Sequence, residues 1–173
     1  MSKGEFLTRL TIWIVLGGYA IGIVLFALSR KRQKWESAAR LAWTVACVSL
    51  LAHVASAFHF YHGWSQEAAL RETARQTAAV VGLDWGGGLY INYATVLFFL
   101  VDVIWWWRGF EAYRRRPRLL VVLWQAFLIF IIFNATVVFK TGPLRWIGLG
   151  ICLALACFWL NSWRQGPRLP VQE

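Results

Sequence analysis

The chain has 173 residues, 59% of them hydrophobic and 15% charged, with a formal charge of +10. A soluble domain of this length carries more charge and less apolar content, and here the apolar residues fall in blocks of roughly 20, the length that crosses a bilayer. Nucleic-acid binding is excluded by position: the basic residues sit at the ends of apolar blocks, where anionic lipid attracts cytoplasmic loops, and not along one face interleaved with stacking aromatics.

Read in chain order, the blocks predict an all-α integral membrane bundle in a single domain, with five spans over 10–28, 38–60, 89–107, 118–139 and 144–160. The first block is too long, and too free of a small-residue cleavage site, for a removable signal peptide. Its Gly18 and Gly22 form a GxxxG, expected to let another helix of the bundle approach closely. Arg30-Lys31-Arg32 ends this span. Pro117 opens the fourth span at a position where helices tolerate proline, and Lys140-Thr141-Gly142-Pro143 reads as a tight turn. Trp35, Trp64, Trp85, Trp105, Trp106, Trp107, Trp146 and Trp163 fall near span ends, the headgroup level that tryptophan prefers.

Counting Lys and Arg by side places twelve of the eighteen in the 29–40 loop, the 108–118 loop and the C-terminal tail. The positive-inside rule then puts the N-terminus outside and the C-terminus in the cytoplasm. The excess of Arg over Lys hints at a GC-rich bacterial genome, and so at the inner membrane. The one long loop, 61–88, lies outside on this reading. Within it, Ser65 is a helix cap and Glu67 a first-turn acid. The apolar positions alternate with Glu67–Arg71 and Glu72–Arg75 pairs. The pattern predicts a short extracytoplasmic amphipathic helix over 65–81, stopped by Gly82.

Chemistry, if present, is expected at the outer ends of the spans. The three histidines cluster: at 100° per residue His59 and His62 share a face, while His53 continues the stripe Ser49, His53, Ser56 and points into the bundle. Neutral imidazoles suit copper or zinc, so His59 and His62 with Asp84 from the loop are a candidate metal site. The HxxH spacing is weak by itself, and the alternative is a pair of interfacial histidines that hydrogen-bond the loop. Haem is disfavoured because every histidine comes from one helix or its end. His53, Asn92 and Asn134 lie at comparable depth on three spans and are a candidate polar pocket, with interhelical hydrogen bonding as the simpler account.

Asp102 is the one acid inside an apolar span, near its basic cytoplasmic end. Pairing with Arg108, Arg40 or another basic residue is expected, since a proton relay needs further acids along a path. Cys47, Cys152 and Cys157 form no CxxC and read as small apolar side chains. Gly86-Gly87-Gly88 lacks the Lys and Ser/Thr of a phosphate loop. Asn134-Ala135-Thr136 matches a glycosylation sequon but is buried in a span.

These features favour a small non-catalytic structural, scaffold or assembly component of a membrane system. Its expected partners are the bilayer, anionic lipid at the cytoplasmic loops and other membrane subunits. The alternative is a protein that handles a metal or small molecule through the histidine cluster. No catalytic residue or cofactor is assigned.

Overall fold

The computed structural model describes residues 2–29, 32–139 and 142–164. Arg30, Lys31, Lys140, Thr141 and the tail from 165, on which parts of the expected basic loops and of the 140–143 turn fall, lie outside the described residues. Among the described residues regular structure is helical throughout: α1 Lys3–Ser29, α2 Glu36–Ala57, α3 Gln66–Val81, α4 Gly88–Arg108, α5 Phe110–Arg114, α6 Arg118–Phe133 and α7 Pro143–Arg164. Four helical segments are long and apolar enough to cross a membrane: Lys3–Ser29, Gln33–His62, Gly88–Arg108 and Arg118–Val138. Helix α7 carries a shorter apolar stretch, Arg145–Phe158. The chain divides into two compact units, Met1–Arg116 and Pro117–Glu173.

In the first unit α1 starts seven residues earlier than the apolar block (at Lys3 rather than 10) because its polar opening is capped. Ser2 Oγ accepts the Glu5 N–H at 3.2 Å, a short side-chain acceptor satisfying a helix-start donor. Arg9 then pairs with Glu5 at 2.6 Å one turn on. Helices α1 and α2 run antiparallel: Gly4 lies against Phe60, Gly18 against Ala42 and Ala46, and Gly22 against Trp43. Between helices in lipid there is no hydrophobic gain to exploit, so close contact of small residues holds the seam. A Cβ on Gly18 would stand 3.0 Å from that of Ala46 and 3.1 Å from the Ala42 carbonyl. The GxxxG thus serves the α1–α2 seam, with Ala39 and Ala46 fully buried. Outward, Trp13, Ile21, Val24, Leu41, Val48, Leu97, Val101 and Ile104 are exposed, the arrangement expected where the surrounding medium is hydrocarbon.

The long loop holds the helix that its caps require. Ser65 Oγ accepts the Ala68 N–H at 3.2 Å, and Gly82 closes α3 in the left-handed conformation at φ 74. Glu67 pairs with Arg71, and Glu72 with Arg75 at 2.7 Å. Tyr93 of α4 donates to Gln66 Oε1 at 2.5 Å, tying the start of α3 to α4. The glycine run has a steric reason: a Cβ on Gly86 would stand 2.7 Å from the Leu70 carbonyl oxygen.

In the second unit Pro117 stands at the cap of α6. The helix ends in a wide π turn over Asn134–Val138. There Gly148 of α7 packs so closely that a Cβ would stand 2.6 Å from Thr136.

Candidate functional site

The densest polar chemistry of the first unit gathers around Asp102 of α4, which is only 6% exposed. Trp43 Nε1 donates to Oδ2 at 2.8 Å and the Tyr113 hydroxyl donates to the same oxygen at 2.9 Å. Arg116 Nη1 donates to Oδ1, completing a buried ion pair. Arg116 Nε also donates to the Tyr113 carbonyl at 2.9 Å.

Aromatic rings wall this group. Trp106 and Tyr113 stack at 4.4 Å with planes 9° apart, and Phe26 of α1 meets both edge-on. The Arg116 guanidinium lies 3.4 Å over the Tyr113 ring, where the ring's negative face attracts a cation. The Tyr113 phenol is pushed well above the ordinary tyrosine range, first by burial and then by the Asp102 carboxylate. It therefore stays protonated and remains a donor.

The chain reaches this arrangement by folding back. Gly109 ends α4 at φ 156, α5 makes little more than one turn, and Arg116 returns to Asp102. Of the two named candidate partners, Arg40 instead covers the Trp107 ring at 4.2 Å, and Arg108 is exposed. Helical spacing gives no signal for Arg116, because the break at Gly109 resets direction.

At the other end of α1 and α2, His53 Nδ1 lies 3.0 Å from the Thr8 carbonyl and 3.3 Å from the Thr11 hydroxyl. His53 thus faces α1. Of its expected pocket partners, Asn92 is exposed on α4, and Asn134 belongs to the second unit and donates to its own helix at Phe130 O, 2.8 Å away.

His59 and His62 lie in a π turn, Phe58–His62, that closes α2. A π turn is wider than an α turn, so the 100° rule that put both rings on one face does not hold there. His62 meets Phe58 edge-on at 5.6 Å, while His59 meets Phe60 at 4.6 Å and lies 6.5 Å from Trp64. Trp64 is left-handed at φ 62, a conformation costing a bulky residue about 1–2 kcal/mol. Asp84 is exposed in the turn before α4. Among the described residues no three His, Cys, Asp or Glu side chains gather as a metal site would require.

No family model, no curated protein and no solved structure matches the chain, so its geometry alone carries the functional argument.

Proposed function

We propose that this chain is a non-catalytic structural or assembly component of a membrane system. In this reading it crosses the bilayer five times, with α7 as the fifth span. The N-terminus and α3 lie outside and the C-terminus in the cytoplasm, and the membrane is a bacterial inner membrane. One observation carries the proposal: the carboxylate of Asp102, buried in α4, is committed to Trp43, Tyr113 and Arg116. A catalytic or transport carboxylate needs a face open to substrate or ion; this one ties α2, α4 and the loop after α4 into one body. The amphipathic α3 then lies along the outer surface, and the basic loop residues meet anionic lipid on the inner one.

Metal analysis of the purified full chain tests the function. Metal-free protein that purifies in a fixed stoichiometry with other membrane subunits supports it. A stoichiometric metal lost in His59→Ala/His62→Ala overturns it in favour of metal handling. For the orientation, a cysteine at Gln33 should resist a membrane-impermeant thiol reagent in intact cells and one at Gln76 should react. The reverse pattern overturns the topology.

A further inference from the structure

An open groove of about 1200 Å3 lies between α3 and the start of α4 in the first unit. That exceeds the roughly 300–1,000 Å3 of a typical small-ligand pocket. Ala74 and Ala78 of α3 and Ile91 and Ala94 of α4 line its floor. Its rim carries both signs of charge: Arg71 and Arg75, one helical turn apart on α3, and Asp84 from the turn before α4. Gly86 seats α3 directly on that turn, and Gly88 brings Thr73 Cγ2 within 3.2 Å of where its Cβ would stand. Gly86 and Gly88 thus let α3 sit closely against the turn and the start of α4, which form the two walls of the groove.

Its position identifies what fills it. The groove opens where α4 begins, at the level of Trp85 and Tyr90, both exposed on it. Trp and Tyr at a span end mark the headgroup layer. On α4 the lining runs on through Ile91 to Ala94, an apolar surface that suits an acyl chain where α4 enters a bilayer. The rim calls for a headgroup with an anion and a cation. Arg71 and Arg75 are paired with Glu67 and Glu72, but their side chains are 76% and 78% exposed. Exposed pairs of this kind hold little energy, so the guanidiniums are available to a phosphate that they fit in bidentate fashion. Asp84, lining the same groove, is an acceptor for ammonium N–H groups.

We propose that this groove binds a phospholipid with a primary-amine headgroup. Its phosphate sits on Arg71 and Arg75, its ammonium on Asp84 and one acyl chain along Ala74, Ala78, Ile91 and Ala94. The site requires only that α4 enters the bilayer at Gly88, on whichever side. A groove that binds no lipid leaves the assembly role intact.

Native mass spectrometry of the purified full chain tests it, with dioleoyl lipids bearing ethanolamine, choline or glycerol headgroups in equal amounts. The ethanolamine lipid should be retained about tenfold over the other two. Asp84→Asn should remove the preference for ethanolamine over choline, whose quaternary ammonium has no N–H to donate. Arg71→Gln/Arg75→Gln should lower retention of the ethanolamine lipid about tenfold, and Arg71→Lys/Arg75→Lys should restore part of it. Ala74→Trp fills the floor, leaves every charge in place and should also displace the lipid. An unchanged melting midpoint in each variant shows that the bundle is intact. Equal retention of all three headgroups, or retention insensitive to these substitutions, overturns the proposal. Cross-linking of two copies through a cysteine at Ala78 also overturns it, because a second chain then covers the groove.

Discussion

The two ends of the α1–α2–α4 core satisfy their polar side chains differently. At one end a carboxylate and a guanidinium are both buried and are held by a tryptophan, a tyrosine and a stack of rings. At the other, His53 rests on a carbonyl of α1 that already accepts the Thr11 hydroxyl, and His59 is exposed. The difference follows from charge. An ionised group in an apolar layer needs a complete set of directed donors and a counter-ion. The His53 ring N–H needs one acceptor, and the Thr8 carbonyl, with a second lone pair, supplies it.

The comparison is broken most sharply at Arg116. Arg116→Ala leaves Asp102 buried without its counter-ion and should cost about 3–5 kcal/mol in detergent unfolding. Asp102→Asn should cost less, about 1–3 kcal/mol. The asparagine oxygen still accepts from Trp43 and Tyr113, and the freed Arg116, next to the helix-free Pro117, reaches water along its long stem. Equal losses for the two variants would show that the carboxylate is not the fixed member of the pair.

Between the two ends, Gly22→Ala sharpens the picture by testing the seam that joins them. Its new Cβ would stand 2.8 Å from the buried Trp43 ring, and overpacking of this kind costs about 1–3 kcal/mol. Gly17, with open space around it, should accept alanine without loss. If both substitutions are silent, α1 is not seated through Gly22.

His53→Leu should cost no more than about 1.5 kcal/mol, the range of one ordinary hydrogen bond. A loss equal to that of Arg116→Ala would erase the contrast between the ends.

The smallest effect is expected from pH on α3. Hydrogen bonds from Arg75 first and Gln76 second hold the Glu72 carboxyl below its ordinary value of 4.5. A depressed carboxylate contributes stability that is full above the ordinary value and lost as pH falls through the lower folded value. The Arg75 side chain is largely exposed to solvent, so screening keeps the contribution small. Amide chemical shifts of α3 should therefore move toward coil values below about pH 4.5, and Glu72→Gln should flatten that response. An equal response in the variant would assign it to another group.

What could be read from the residues one by one was local. Apolar blocks mark the four helices long and apolar enough to cross a membrane, because bilayer thickness sets a minimum length. Ser65 and Gly82 bound α3 because a cap acceptor and a left-handed residue act within one turn. Asp102 was legible as an acid in need of a cation, for the cost of burial is a property of the group. Only the tertiary structure decided which cation: Arg116 reaches it through the break at Gly109, and no helical period carries across a break. Likewise only the rotation of α2 against α1, set by Gly18 and Gly22 meeting Ala46 and Trp43, turned His53 toward Thr8. His59 and His62 fall in the π turn at 58–62, where the helical spacing of 100° per residue no longer applies, since a sequence spacing becomes a face only when the turn that carries it is known.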